Sequence, residues 1–154
     1  FPQANDLDKV VDLMVFLDTA KDPELSGKAG IAQHFEFDER QSDYYANAAA
    51  YLGLLARDRR AGGFTFTKWG ELLVGTPSLV RRTEILVEQM ARRPVFRDAF
   101  RLLQGSGMDP EQVSNAQIEA VITANTALAS STPARRASTV RSWLRWLKKN
   151  AELI

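Results

Sequence analysis

Apolar residues near the start of the chain recur at spacings of three and four, which is the periodicity of an amphipathic helix. These residues are Leu7, Val10, Val11, Met14, Val15 and Leu17. Because Asn5 and Asp6 have side chains that cap helices, the pattern predicts a helix that begins there and ends at about Thr19, before Pro23.

Two further helices are predicted on either side of a short turn. Ser26 can cap the first, whose apolar side chains are Ile31, Ala32 and Phe35. After the turn Glu36–Asp38, a longer helix is capped by Asp38 and extends to about Ala56. Two helices joined by a three-residue turn form the helix-turn-helix arrangement.

A short β-hairpin is predicted directly after these helices. Leu54–Arg57 leads into a basic, glycine-containing turn, and Phe64–Thr67 leads out of it. Phe64 and Phe66 alternate and so share one face of the returning strand. Thr67 then caps a helix that contains Trp69, Leu72 and Leu73.

The second half of the chain is predicted to be helical throughout. Helices begin at Thr76-Pro77, at Pro94, after Ser114 and at Thr132-Pro133, with a break at Gly105–Gly107. The last helix is expected to bury Val140, Trp143, Leu144 and Leu147, with Trp146 at the rim of the core. A helix, a loop and a basic helix repeat the plan of the first half, so we expect a second helix-turn-helix unit, with Glu152–Ile154 beginning a truncated wing.

The order helix, helix, turn, helix, hairpin resembles the winged-helix family, with LGLL entering the hairpin at Leu52 and FTFTKWGELL leaving it from Phe64. The segment FDERQSDYYANAAAYLGLL, from Phe37, is similar to winged-helix modules attached to prokaryotic restriction endonucleases and related restriction-modification proteins. The resemblance covers about 50 residues, Ser26 to Val74, and the remainder more loosely. The expected fold is therefore mainly α, with tandem helix-turn-helix units: a winged helix with a short β-hairpin at residues 1–76 and a second, helix-turn-helix-like unit at residues 77–154.

The composition limits the chemistry of the chain. Its 154 residues are 45% hydrophobic and 25% charged, which is typical of a soluble globular protein. The absence of cysteine excludes thiolate metal sites and thiol catalysis, and the single histidine, His34, leaves almost no material for a histidine-ligated zinc site or a serine triad. No segment has the roughly 20 apolar residues of a membrane span, and no signal peptide is present. We expect a cytoplasmic, non-catalytic chain with no metal, cofactor or membrane partner.

Charge is distributed unevenly along the chain, although the net charge is only +1. Residues 1–56 carry a net charge of −6, and residues 57–106 carry +5. Residues 132–150 contain six basic residues and no acidic residue. The basic character is therefore concentrated around the predicted hairpin and on the last helix, and these are the candidate contacts for an anionic partner.

The candidate DNA contacts of the first unit lie on the helix before the hairpin and on the hairpin itself. They are Arg40, Gln41, Tyr44, Asn47, Arg57, Arg59 and Arg60. Arginine can pair bidentately with guanine and asparagine with adenine, and the hairpin arginines would meet the backbone or the minor groove. Because Asp38, Glu39 and Asp43 share the helix and repel phosphate, a structural or protein-binding role for it stays open.

The candidate DNA contacts of the second unit lie on the last helix, which has the more favourable electrostatics. They are Arg135, Arg136, Ser138, Thr139, Arg141, Ser142 and Arg145. Neutralising phosphates releases counterions, so this cluster predicts salt-sensitive binding. The alternative is a solvated basic helix face.

We therefore expect a sequence-specific, double-stranded DNA-binding module of a prokaryotic restriction-modification protein, with recognition sensitive to base methylation. The restriction context and the methylation sensitivity are implied by the resemblance alone. The chain opens at Phe1 without an initiator methionine, so we expect a fragment joined to a nuclease or other domain of the same parent chain. Two alternatives remain: a winged-helix protein-interaction or dimerisation module, and a bacterial transcription regulator.

Overall fold

The computed structural model describes residues 2–19, 39–58, 63–126 and 132–151, with the backbone alone at residues 19, 39, 40 and 132–135. The helix predicted after Ser26, the candidate contacts Arg59 and Arg60, and the wing expected at Glu152–Ile154 lie outside the described residues.

The described chain is mainly helical, with one small antiparallel sheet, as the sequence predicts. Its elements in chain order are α1 (Leu7–Thr19), α2 (Glu39–Tyr51), β1 (Leu55–Arg57), β2 (Phe64–Phe66), α3 (Lys68–Val74), α4 (Leu79–Ala91), α5 (Pro94–Gly105), a 3₁₀ turn (Pro110–Gln112), α6 (Asn115–Asn125) and α7 (Thr132–Asn150). In the hairpin, Leu55 pairs with Phe66 and Arg57 with Phe64.

Helix α1 has the predicted bounds. The Asp6 carboxylate accepts a hydrogen bond from the Asp8 N–H at 3.0 Å, which satisfies one of the unpaired donors of the first turn. The buried face differs from the prediction at two positions: Leu13, which was not predicted, is buried, and Val15, which was predicted, is 36% exposed.

Helix α2 ends before the predicted Ala56, because a glycine turns the chain. Gly53 has a φ of 75°, in the left-handed region that glycine adopts at little cost. The N–H of Leu54 donates to the Ala49 carbonyl and that of Gly53 to the Ala50 carbonyl, both at 3.0 Å, which is the Schellman pattern of helix termination. The chain can therefore enter β1 within a few residues.

Thr67 joins the hairpin to the helices on either side of it. Its N–H donates to the Leu54 carbonyl at 3.1 Å, and its hydroxyl donates to the Gly53 carbonyl at 2.5 Å. The same hydroxyl oxygen accepts from the Gly70 N–H at 3.1 Å, which confirms Thr67 as the cap of α3. Thr67 therefore connects the end of β2 by hydrogen bonds to the end of α2 and to the first turn of α3.

Gly70 marks the closest approach of α3 to its neighbours. A Cβ atom at this position would lie 2.1 Å from the Leu54 carbonyl oxygen and 2.9 Å from Cε of Met14. No side chain fits at such distances, so the packing of α3 against α1 and the end of α2 requires glycine.

The chain forms two compact units, Phe1–Arg82 and Thr83–Ile154. The boundary between the units lies inside α4, six residues after the boundary predicted from the sequence at residue 76. The first unit contains the hairpin, and the second contains α5, α6 and α7.

The core of the second unit lies between α5, α6 and α7, which contact one another. The Phe96 and Trp143 rings are stacked, with centroids 4.6 Å apart. The predicted cap of α6 is confirmed, because Ser114 and Gln117 form a reciprocal capping box. The predicted buried residues of α7 are also confirmed: Val140, Trp143, Leu144 and Leu147, together with Trp146.

We predict that Gly70→Ala lowers the free energy of unfolding by about 3 kcal/mol, because its methyl group overpacks against a backbone carbonyl that cannot rotate away. Urea denaturation followed by circular dichroism measures the loss. Gly105→Ala is the matched control, since nothing lies within 4 Å of a Cβ there. It should leave stability unchanged or raise it by up to about 1 kcal/mol. Equal stabilities for the two variants would contradict the close packing of α3.

Candidate functional site

One exposed face of α7 collects several of the predicted contacts. We call it the outer face of α7, and it consists of Ser138, Ser142, Arg145 and Lys149. Spacings of four, three and four place these residues along one side of a helix. Ser142 is half-buried and the other three are exposed, whereas Arg136 lies half-buried outside this row.

Thr139 is not on this surface, which corrects its prediction as a contact. Its side chain is only 2% exposed, between the buried residues Ala137 and Val140 and one turn before Trp143. The hydroxyl suggested a polar surface position, but the helical period turns position 139 toward the core.

Arg141, predicted as a DNA contact, is half-buried and donates hydrogen bonds to groups of the fold. Its Nη1 donates to the Pro110 carbonyl at 2.6 Å, and its Nη2 donates to the Val113 carbonyl and to Asn115 Oδ1, both at 2.7 Å. The guanidinium therefore ties the 3₁₀ turn and the first residue of α6 to α7. No local sequence pattern reveals this role, because its partners lie 26 to 31 residues earlier.

Arg145 forms a two-pronged ion pair with Glu111. Its Nε donates to Oε1 at 2.6 Å and its Nη2 to Oε2 at 3.1 Å, with side chains 53% and 58% exposed respectively. The hydrogen bond from Arg145 lowers the pKa of Glu111, and the same bond raises the pKa of Arg145. The basic helix therefore has an acidic neighbour, which the sequence interpretation missed because Glu111 is distant along the chain.

Lys148 and Lys149 are the unpaired positive charges at the end of α7. Both are exposed, and neither forms a hydrogen bond or an ion pair through its side chain within the described ranges. They are among the six basic residues of positions 132–150, but the sequence pattern did not single them out as contacts. Their long, exposed side chains can reach phosphates around the end of the helix.

In the first unit, a hydrogen bond connects α2 to the hairpin. Gln41 and Asn47 are exposed and Tyr44 is half-buried. Arg57 Nη2 donates to Asn47 Oδ1 at 2.5 Å, and the Arg57 guanidinium lies 5.3 Å from the centroid of the Phe64 ring. Two of the predicted contacts thus meet in space, although they are 10 residues apart.

The remaining predicted contacts, and the tests for a metal site and a membrane-spanning helix, can be assessed only for the described residues. The Arg40 and Arg135 side chains and the whole of His34 lie outside what the structure describes. Among the described residues, no three histidines, cysteines or carboxylates come together as a metal site. None of the described helices combines the length and the apolar character that crossing a bilayer would take.

The chain belongs to the family described as "Domain of unknown function (DUF7226)", which matches residues 9–152. The family covers both units, so the α7 surface and the α2–hairpin surface belong to one family domain. Searches of curated proteins and of solved structures found no match.

We predict that Arg141→Met lowers the free energy of unfolding by about 3 kcal/mol, because two carbonyls and an amide oxygen lose a charged donor. Arg145→Met is the matched control. It should cost much less, since exposed ion pairs contribute little to stability. Urea denaturation of the two variants makes the comparison, and a larger loss for Arg145→Met would refute the structural role of Arg141.

We predict that Arg145→Met also raises the pKa of Glu111 toward its ordinary value, because the hydrogen bond that lowers it is removed. NMR titration of the Glu111 side-chain carboxyl carbon measures the change. In the wild type, a lowered folded-state pKa means that the stabilisation is present above the ordinary carboxyl pKa and is lost as the pH falls through the lowered value. An unchanged Glu111 titration in the variant would exclude Arg145 as the cause.

Proposed function

We propose that this chain binds double-stranded DNA and acts as the sequence-recognition module of a prokaryotic restriction-modification protein. The observation that carries the proposal is the outer face of α7, together with the neighbouring Lys148. A helix that presents hydroxyl groups in its middle and positive charges toward its end has the groups needed to meet base edges and phosphates.

The arrangement of the second unit supports this proposal. Helices α5, α6 and α7 contact one another, and α7 follows α6 after a short connection. We infer a helix-turn-helix unit in which α7 is the recognition helix. Ser138 and Ser142 are the proposed donors to bases or phosphates, while Lys148, Lys149 and Arg145 are the proposed phosphate contacts.

Arg145 must exchange partners to contact DNA in this proposal. Its guanidinium already holds a carboxylate by two parallel bonds, and this fork geometry also suits a phosphate. Because the pair with Glu111 is exposed, the exchange costs little. Arg141 takes no part in DNA binding here, since its donors hold the 3₁₀ turn.

For the first unit we propose a winged helix, with α2 as the recognition helix and the β1–β2 hairpin as the wing. Asn47 and Arg57 support this, because their hydrogen bond brings an adenine-reading type of side chain beside a hairpin cation. The first unit, residues 1–82, carries twelve acidic and ten basic residues, so it would add selectivity more than affinity. Half-buried Tyr44 offers an aromatic surface to a methylated base.

We predict salt-dependent binding to duplex DNA, weakened by the double variant Lys148→Gln/Lys149→Gln. Loss of two phosphate contacts should reduce the slope of log K against log salt by about 2 and weaken binding to all sequences alike. Fluorescence anisotropy at several salt concentrations measures the slope. Lys9→Gln, at an exposed position of α1, is the matched control and should leave it unchanged.

The target is identified by binding the wild-type chain to random duplexes at two salt concentrations and sequencing the retained DNA. An enriched, asymmetric motif supports a tandem reader, and a palindrome would instead favour a dimeric transcription regulator. Comparing methylated with unmethylated copies of that motif tests the methylation hypothesis. No retention at low salt would refute DNA binding.

A second candidate, protein interaction by the first unit, is favoured by one group of exposed apolar side chains. Leu79 is 67% exposed, and Leu72 and Val80 are 40% and 42% exposed, around the turn between α3 and α4. Contiguous exposed apolar patches are typical of contact surfaces, and Leu79 and Val80 are adjacent in the chain. Failure to retain DNA, combined with concentration-dependent association that Leu79→Ser abolishes, would favour this function.

A further inference from the structure

We propose that the second unit binds a small amphiphilic carboxylate in a cavity between α4, α5 and α7. The cavity is separate from the outer face of α7 and does not depend on DNA binding. Its walls come from Val87 and Met90 of α4, Phe96 and Phe100 of α5, and Leu147 of α7. All of these side chains are apolar, so a ligand must bring an apolar body to displace water from them.

The floor of the cavity is held rigidly. Met90, Phe96 and Leu147 are buried, and the Phe96 ring stacks on Trp143 in the core. Because close-packed side chains have little room to move, these three residues cannot shift to close the cavity. A preformed apolar space lowers the cost of binding.

The volume of the cavity limits the size of the ligand. It measures about 210 Å³. An apolar cavity of roughly 150 Å³ accepts benzene. The cavity therefore suits a six-membered ring with a short linker, or a branched chain of similar volume.

The rim of the cavity supplies positive charge. Arg97, Arg101 and Gln104 follow one side of α5 at spacings of four and three. The Arg97 side chain makes no hydrogen bond or ion pair with any residue that the structure describes, and Arg101 forms only an exposed pair with Asp98 at 3.2 Å. None of the described residues that line the cavity is acidic.

These two features together select the ligand class. A neutral apolar molecule would leave the Arg97 guanidinium without a partner. A simple inorganic anion would leave the apolar side chains of the floor in contact with water. A carboxylate joined to a ring or branched chain satisfies both, because a guanidinium binds a carboxylate by two parallel hydrogen bonds. The amide nitrogen of Gln104 offers a further donor at the rim.

The test uses the full chain with 3-phenylpropanoate as the probe and 3-phenylpropanamide as its neutral counterpart. We expect saturable NMR shifts of the Met90 and Leu147 methyl groups, accompanied by a change in Trp143 fluorescence. Arg97→Gln should weaken carboxylate binding about fivefold, the upper range for one exposed ion pair, and should leave amide binding unchanged. Lys9→Gln should affect neither.

A filling variant tests the location of the site. Ala91 lines the cavity and is exposed at the end of α4, so Ala91→Phe should block the probe without disturbing the core. Circular dichroism confirms that the variant is folded, and a filled cavity that still binds the probe would overturn the assignment. Equal affinities for carboxylate and amide would refute the charge selectivity, and absence of shifts up to roughly 10 mM would refute the site itself.

Discussion

The guanidinium of Arg141 fixes the arrangement on which the second unit depends. Two backbone carbonyls and one side-chain amide converge on it, from a 3₁₀ turn and the start of α6. Polar groups at such a junction need partners, and a single planar cation makes three hydrogen bonds, to the Pro110 and Val113 carbonyls and to the Asn115 amide oxygen. With that turn held against α7, Glu111 lies beside Arg145. A fold-stabilising contact thereby determines which of the helix charges remain available on the surface.

In the first unit, small residues hold the secondary-structure elements in place. Gly53 ends α2, Thr67 connects the hairpin to both neighbouring helices, and Gly70 allows α3 to contact the Leu54 carbonyl. Each of these residues acts on the same few backbone atoms. The hairpin is only three residue pairs long, and short isolated hairpins are marginally stable, so its position depends on these attachments.

Local signals in the sequence predicted the elements well, because caps and breaks act within a few residues. The bounds of α1, the Thr67 cap, the capping box of Ser114 and the start of α7 were all predictable in this way. The predicted end of α2 lay about five residues too late, because the left-handed turn at Gly53 that ends the helix was not anticipated. The candidate surface was harder to predict. Arg141 and Arg145 find partners 26 to 34 residues away, and such pairs follow from packing that no local period encodes. The first unit shows the same limit, since the Arg57–Asn47 contact joins a strand to a helix.

The Arg57–Asn47 hydrogen bond also determines the orientation of the Asn47 side-chain amide. An asparagine amide has two nearly equal orientations that exchange its oxygen and nitrogen, and each presents a different donor and acceptor order. Because Arg57 donates to Oδ1, it selects one orientation and leaves the Asn47 Nδ2 group to point elsewhere. The Asn47 side chain loses its rotational freedom when the chain folds, so this entropy cost does not fall on the binding of a partner. Arg57 thus fixes the orientation of an amide group that could otherwise adopt either of two orientations.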